Sequence, residues 1–160
     1  MTTLSIEPSE QNNYLDAHAQ RIIASYHHWT KRHLIAPQLS PLEQARTLFN
    51  APFVVLSHNT DADPLLNYGN RAGLELFEIR WEELLVLPSR LTAESPQRDE
   101  RARLLTLVTR DGFIDDYSGI RISKNGRRFM IERATVWNLL DEQNQPYGQA
   151  ATFSRWRFVD

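Results

Sequence analysis

The sequence predicts an α+β fold in which helices come first and an antiparallel sheet follows. Apolar residues recur at three- and four-residue steps between Leu15 and Trp29, which is typical of an amphipathic helix. From residue 115 onward apolar and polar residues alternate, which is typical of strands that bury one face. Helical segments followed by consecutive strands indicate one antiparallel sheet with helices packed against it.

Local signals set the expected boundaries of these elements. Ser40 and Glu43 form a capping-box pattern at the start of the second helix. Asn70 and Ser95 are expected to cap two later helices, and the KNGR segment at 124–127 predicts a tight hairpin turn. The predicted elements are helices over 12–35 and from 40 to the proline at 52, strands over 52–57 and 65–70, helices over 71–79, 80–86 and 95–112, and strands over 117–123, 129–140 and 149–159.

Length and composition limit the classes of protein to which the chain can belong. Its 160 residues correspond to one domain, and 41% hydrophobic residues suffice for an ordinary core. We expect a flexible N-terminus over 1–11, a helical extension over 12–50 and the main domain over 51–160. The absence of cysteine excludes disulfides, thiolate metal sites and cysteine nucleophiles.

Charge and hydropathy bear on partners and location. The net charge of −2 gives no reason to expect nucleic acid, although RRFMIER and RWRF combine basic and aromatic residues. The N-terminus lacks the pattern of a signal peptide, and no apolar run approaches the ~20 residues that span a bilayer. These features favour a soluble, cytoplasmic protein without a membrane partner.

Several strings carry a resemblance to known domains. The main ones are LFNAPFVVLSHNTDADPLLNYGNRAGLELFE, PSRLTAES, RFMIERATVWNLLDEQ and the closing WRFV. With the order of elements, they resemble PAS-type sensor domains and, more specifically, the MEKHLA domain family. The resemblance implies a PAS-like five-stranded antiparallel sheet with helices across one face, preceded by two N-terminal helices. It also implies a non-enzymatic sensory or interaction module that binds a small ligand between helices and sheet.

Polar and aromatic residues inside the strongly patterned segments are the candidate site. The ligand-binding candidates are Asn67, Asn70, Phe77, Trp81, Arg90, Tyr117, Arg121, Glu132 and Trp137, with Phe53, Glu94 and Arg133 nearby in the pattern. In a PAS-like arrangement Arg90 would face Tyr117, Arg121 or Glu132, and Phe53, Phe77, Trp81 and Trp137 would supply aromatic walls. Buried charges are tolerated only when they are paired. The set therefore either anchors a ligand or forms an internal ion-pair network that fixes the helices to the sheet, and the missing cofactor signature favours the network.

Catalytic and metal sites are not expected, whereas the cofactor stays unknown, with flavin held without adduct chemistry as an open alternative. The turn at 58–63 holds a histidine and two carboxylates, but such residues also build turns, so we expect no metal there. Adjacent Asp115 and Asp116 point to opposite faces of a strand and cannot share a proton. A photochemical flavin domain needs a cysteine, which is absent, and haem would need a histidine within 65–112, which has none.

Two questions stay open at this level. Enzymes on the cone-shaped NTF2-like scaffold also begin with helices, so an isomerase or dehydratase is the alternative function. It is less favoured because all five histidines precede residue 59, with no evident carboxylate partner. A sensor domain passes its signal to another molecule, so we also expect a homodimer that forms through residues 12–35 and the sheet.

Overall fold

An antiparallel sheet with helices on both faces forms the structure, a computed structural model that describes residues 6–160. The helices are α1 (Asp16–Thr30), α2 (Pro41–Asn50), α3 (Arg71–Leu76), α4 (Trp81–Leu84) and α5 (Ser95–Asp111). The strands are β1 (Val54–His58), β2 (Leu66–Gly69), β3 (Phe113–Ile122), β4 (Arg128–Leu140), β5 (Pro146–Phe153) and β6 (Arg155–Phe158). Two 3-10 helices cover Glu10–Leu15 and Ser89–Thr92. Within residues 6–160, no helix is both long and apolar enough to cross a membrane.

The strands lie in the order β2-β1-β5-β4-β3, and β6 pairs with β4 beyond the end of β5. The single strand predicted over 149–159 is therefore two strands, separated at the exposed Ser154. Strand β4 changes partner at the same level, because Arg133 has a φ of 53° that interrupts the regular ladder. The sheet thus has six strands, although β5 and β6 follow the same side of β4.

Helix α1 is shorter than the predicted 12–35 at both ends. Asn13, Tyr14 and Leu15, the last residues of the Glu10–Leu15 segment, have φ angles of 56°, 54° and 51°, so α1 begins only at Asp16. At the other end, Lys31 has a φ of 61° and its N–H closes the helix on the carbonyl of His27 at 2.9 Å. Apolar spacing continues across both breaks and so does not predict them. Residues 1–5 of the predicted lead-in lie outside the described residues.

The other helices begin where the local signals predict, with one exception. The Ser40 hydroxyl accepts a hydrogen bond from the N–H of Glu43 at 3.2 Å and caps α2. Helix α5 instead has Glu94 at its N-cap position, so Ser95 is its first residue and not its cap. Strand β3 begins at Phe113, directly after α5, because Gly112 ends the helix with a φ of 99°.

Helix α1 packs on the face of the sheet opposite to α5. Its buried residues are Ala19, Ile22, Ile23, Ser25 and Tyr26. The Tyr26 ring lies edge-on to Trp137 of β4 with 5.0 Å between ring centroids, and Trp29 donates from Nε1 to the Asn138 carbonyl at 2.9 Å. The apolar stripe of α1, which lies within the predicted dimer contact, is therefore buried within the chain.

His18 ties α1 to three strands through an ordered chain of hydrogen bonds. The Ser57 hydroxyl donates to Oδ1 of Asn67 at 2.5 Å, so its oxygen accepts from Nε2 of His18 at 3.0 Å. Nδ1 of His18 then accepts from the Tyr147 hydroxyl at 3.3 Å. Burial, with a smaller contribution from the charge of Arg21, lowers the pKa of His18 to about 4. The imidazole is therefore neutral in the folded protein near neutral pH.

The buried Asn70 side chain joins α2, β1 and α3. Its Oδ1 accepts from the N–H groups of Val55 and Gly73, each at 3.0 Å, and the second of these caps α3. Its Nδ2 donates to the carbonyls of Leu48 at 3.1 Å and Phe53 at 2.8 Å. Every donor and acceptor of the amide is thus used, which explains how this polar side chain is tolerated with 0% exposure.

Replacing Asn70 with alanine should destabilise the whole domain, because it leaves buried N–H and carbonyl groups without partners. We expect Asn70→Ala to lower the free energy of unfolding by about 3 kcal/mol. Urea titration followed by circular dichroism measures the change, with Asn50→Ala on the exposed end of α2 as the control at less than about 0.5 kcal/mol. A loss of similar size in both variants would show that the hydrogen bonds of Asn70 contribute little.

The neutral, buried His18 should make stability depend on pH. Its pKa is 6.5 in the unfolded chain and about 4 when folded, so the unfolded state binds the proton first as the pH falls. The stabilisation is complete above pH 6.5 and is lost progressively towards pH 4, by at most about 3 kcal/mol. Denaturant unfolding of the wild type and of His18→Gln at several pH values isolates the contribution of His18 to the free energy of unfolding. Parallel pH profiles for the two proteins would contradict it.

Candidate functional site

A small cavity lies between α5 and the sheet. It encloses about 70 Å³, and since one water needs roughly 15 Å³ by the same kind of measure, there is room for about five. Its polar lining residues are Ser57, His58, Thr92, Arg101, Tyr117, Arg121 and Gln149. The rest of the wall is apolar. A neighbouring cavity of about 270 Å³ shares Leu56, Leu66, Phe77 and Thr92 with it, so these side chains form the partition between the two spaces.

The irregularity in β4 decides which of its side chains reach the cavity. Ile131 lines the cavity before Arg133, and Val136 lines it afterwards, so the facing residues change from odd to even numbers. Side chains alternate between faces along a regular strand, and one extra residue reverses that alternation. Trp137 consequently points to the α1 face, where it contacts Tyr26.

Tyr117 of β3 is placed by a matching irregularity. The register shifts on both sides of the Tyr117–Ala134 pair, and Asp116 has a φ of 57°. A Cβ atom at Gly119 would lie 2.5 Å from the Tyr117 hydroxyl oxygen, so the absence of a side chain there lets the tyrosine fold back along its own strand. The two features hold the phenol against the cavity.

Tyr117 connects a buried arginine on the sheet to α5. Nη2 of Arg121 donates to the Tyr117 hydroxyl at 3.2 Å, and that hydroxyl donates to Oε1 of Glu100 at 3.1 Å. Nη1 of Arg121 donates to the Ile120 carbonyl at 2.8 Å. Arg121 is only 6% exposed, yet no carboxylate lies within ion-pair distance of it among residues 6–160.

Arg101 of α5 is a second arginine in the same wall, and it has neither a hydrogen-bond nor an ion-pair partner in the described part of the chain. Burial, with a smaller contribution from the nearby charge of Arg121, lowers the pKa of Arg101 to about 10. Both effects oppose the charged form, so the folded protein holds this cation in an unfavourable environment. An unpaired cation that lines a cavity can contribute to recognition of an anion.

His58, the last residue of β1, adds an unused acceptor. Its Nδ1 lies 2.9 Å from the Asn59 carbonyl, which can only accept, so Nδ1 carries the proton. Burial lowers the pKa of His58 against smaller raising contributions from the Asn59 carbonyl and the Gln149 side chain, so the ring is neutral and Nε2 is an acceptor. That nitrogen is buried and has no hydrogen-bond partner within residues 6–160. A hydrogen-bond donor within the cavity would satisfy this nitrogen.

Comparison with known proteins places the chain in a family. The sequence model of the MEKHLA domain matches residues 16–158. The chain belongs to the MEKHLA domain family. It is 28% identical over 103 residues to Homeobox-leucine zipper protein ATHB-9 of Arabidopsis thaliana, covering 64% of this chain and 12% of that protein. It is 23% identical over 142 residues to protein HOX10 of Oryza sativa, covering 88% and 17%. The chain thus spans less than a fifth of these relatives.

Solved structures confirm the predicted PAS-like fold of this MEKHLA domain. A PAS domain from Colwellia psychrerythraea superposes with a TM-score of 0.61 at 13% identity, over 73% of this chain and 94% of that one. An RNA-binding Light-Oxygen-Voltage receptor superposes with a TM-score of 0.61 at 19% identity, over 79% and 35%. Since the fold is PAS-like, it is not the NTF2-like scaffold on which the alternative enzyme was based.

The structure brings three of the nine predicted ligand-binding residues of the MEKHLA domain to the cavity: Phe77, Tyr117 and Arg121. Asn67 accepts from Ser57 in the His18 network, and Asn70 joins backbone segments. Trp81 packs edge-on against Tyr68, and Trp137 against Tyr26 on the opposite face. Of the four predicted aromatic walls only Phe77 lines the cavity, since Phe53, Trp81 and Trp137 lie elsewhere.

Arg90 and Glu132 are also outside the cavity, each in an exposed ion pair. Arg90 contacts Asp63 at 3.1 Å, and Glu132 contacts Arg157 at 3.1 Å. Arg90 therefore does not face Tyr117, Arg121 or Glu132 as predicted. Glu94 and Arg128 form a further surface pair at 2.5 Å. The internal ion-pair network favoured from the sequence is wrong, because these partners meet at the surface and leave Arg121 without a carboxylate.

Two residues of the cavity were not expected from the sequence. Arg101 lies three residues before Leu104 and seven before Val108, the two buried residues of α5, so it shares their stripe of the helix. The adjacent Ala102 is exposed, although its apolar side chain favours an inward position in helix 95–112. An arginine in register with a buried stripe was the available signal. His58 was assigned to the following turn, although its alternation with Leu56 along β1 continues the strand.

The cavity does not fit the cofactors common in PAS relatives. The sequence has no cysteine for a flavin adduct, and about 70 Å³ suits a small molecule better than a tricyclic ring or a porphyrin. Among residues 6–160, no group of three or more His, Cys, Asp or Glu side chains is arranged to hold a metal ion. The size and lining of the cavity match a small, mainly apolar molecule with one polar group beside Arg101 and Arg121.

Removing the unpaired Arg101 should stabilise the ligand-free protein. Arg101→Met keeps the apolar stem and removes a half-buried charge that Arg121 repels, so we expect a gain of about 1 kcal/mol in unfolding free energy. Arg103→Met on the exposed side of α5 is the control and should change stability by less than about 0.5 kcal/mol. Urea unfolding measures both variants. A clear loss of stability in Arg101→Met would show that the guanidinium serves the fold.

Proposed function

We propose that this MEKHLA domain is a non-enzymatic sensory module that binds a small molecule in the cavity between α5 and the sheet. The observation that carries the proposal is a mainly apolar cavity whose polar groups, Arg101 and Nε2 of His58, have no hydrogen-bond partners within residues 6–160. Buried polar groups in folded proteins are normally satisfied, so exceptions in a cavity wall point to a missing partner. The PAS-like fold and the family support a sensory role over a catalytic one.

The position of the cavity suggests how occupancy would be passed on. Helix α5 joins β3 through Gly112 alone, and a Cβ atom at Gly112 would lie 2.4 Å from the Trp29 ring of α1. Asn138 receives contacts from both helices, since its Nδ2 donates to the Val108 carbonyl at 2.8 Å and its carbonyl accepts from Trp29. A ligand that moves α5 would therefore change the packing of α1 on the opposite face. A partner protein or a second copy would detect that change.

Filling the cavity should prevent retention of a ligand. Ala151 lines the cavity and packs beside Leu104, Val108 and Val136, so Ala151→Leu would occupy the space. We expect native mass spectrometry of the protein purified from its own host to show a bound small molecule that is reduced about tenfold in Ala151→Leu. Ala102→Leu, on the exposed side of α5, is the matched control and should retain the molecule. Equal retention in both variants would place the ligand elsewhere, and a wild type without ligand would weaken the proposal.

Dimerisation through residues 12–35 and the sheet stays a prediction, and the buried stripe of α1 restricts its form. The outer surface of α1, the exposed residues of edge strand β3 and the exposed parts of β6, including Phe158, are available to a second copy. Sedimentation velocity over a range of concentrations tests the dimer. A monomer at all concentrations, with and without the retained ligand, would direct the search to a different partner protein.

A further inference from the structure

We infer that the molecule bound in this cavity is a small organic monoanion, a carboxylate whose charged group contacts Arg101 and Arg121 and whose hydroxyl donates to His58. The inference rests on the proposed function, because it names the class of ligand for the same site. It goes further in fixing the charge, the size and the hydrogen-bonding pattern of that ligand. Each of the three follows from a separate observation.

The charge follows from the groups that face the cavity. Arg101 and Arg121 contribute two positive charges, and Glu100 contributes one negative charge through its contact with Tyr117. The other acidic groups nearby are paired outside the cavity, Glu94 with Arg128 and Glu83 with Lys124. One positive charge is therefore uncompensated. A monoanion neutralises it, whereas a cation would add to the repulsion between the two arginines.

The guanidinium groups favour a carboxylate among the possible monoanions. Arg121 uses its two terminal nitrogens for one contact each, to Ile120 and Tyr117, and Arg101 has all five N–H donors free within the described structure. Two parallel N–H donors match the two oxygens of a carboxylate, which adds directional specificity to the charge attraction. An isolated halide would leave most of these donors without acceptors.

The remaining features describe the body of the ligand. Nε2 of His58 is an acceptor without a hydrogen-bond donor within residues 6–160, and a hydroxyl group on the ligand would supply one. The apolar wall suits a short hydrocarbon segment between the two polar ends. A volume of about 70 Å³ limits the molecule to a few heavy atoms, unless Phe77 and Leu66 move and open the adjacent cavity of about 270 Å³.

Butyrate, hydroxybutyrate and the neutral butyramide are suitable probes of this class. We expect ligand-observed NMR titrations at millimolar concentrations to show butyrate binding at least about tenfold more tightly than butyramide. Hydroxybutyrate should bind more tightly than butyrate, and His58→Phe should remove only that difference. Arg101→Gln and Arg121→Gln should each weaken butyrate by at least about tenfold, whereas Arg103→Gln on the exposed side of α5 should not.

A second measurement guards against loss of binding through unfolding. The thermal midpoint of Arg101→Gln without ligand should equal or exceed that of the wild type, while the shift caused by butyrate is lost. Chloride added at the same concentration distinguishes an inorganic ion from an organic acid and should compete poorly with butyrate.

The inference would be overturned by butyramide binding as tightly as butyrate, by wild-type affinity for butyrate in both glutamine variants, or by failure of every acid to bind. Chloride competing as strongly as butyrate would also overturn it, because the arginines would then hold an inorganic ion. None of these results by itself defeats the proposed function. A neutral molecule retained by the wild type and excluded by Ala151→Leu would leave the sensory module in place and remove only the anionic class of its ligand.

Discussion

The fully satisfied amide of Asn70 is the contact on which the arrangement of the sheet and the helices depends. It fixes the end of α2, the start of β1 and the first turn of α3 at one buried point. The hydrogen-bonding pattern of an amide, with two donors and one oxygen that accepts twice, fits this junction, and no apolar side chain could replace it. Helices α4 and α5 follow α3 in the chain. The contacts of Asn70 therefore fix the point from which these three helices cross the sheet.

The His18 network and the wall of the cavity differ in how their polar groups are paired. On the α1 face, His18 belongs to a chain of hydrogen bonds that runs from Tyr147 to Asn67, and each donor in it meets an acceptor. On the α5 face, Arg101 and Nε2 of His58 lack partners within residues 6–160. A satisfied network stabilises a fold, whereas unmet groups in a cavity reduce stability until a ligand supplies them. The contrast separates the His18 network, whose hydrogen bonds belong to the fold, from the cavity wall, where a ligand can supply partners.

Departures from regular strand geometry build the cavity wall. Positive φ angles at Asp116 and Arg133 lie on facing strands, and they interrupt the β3–β4 ladder on either side of Tyr117. Such irregularities reorient side chains at the expense of regular pairing, and they often occur beside functional sites. The close approach of Tyr117 to Gly119 fits the same pattern, since a side chain at Gly119 would displace the phenol from Arg121 and Glu100.

Local signals in the sequence predict the fold class and most element boundaries, because caps and hydrophobic periods act over a few neighbouring residues. Ser40 and Asn70 cap the helices they were expected to cap, and the KNGR turn joins β3 to β4 as predicted. The site depends on contacts that form only in the folded chain. Whether Arg90 or Arg101 lines the cavity with Tyr117 depends on how the helices pack on the sheet. The strand irregularity at Arg133, which directs Val136 and Trp137 to opposite faces, leaves no trace in the alternation of residues. Contacts between segments distant in the chain depend on the summed packing of the core, which no local pattern contains.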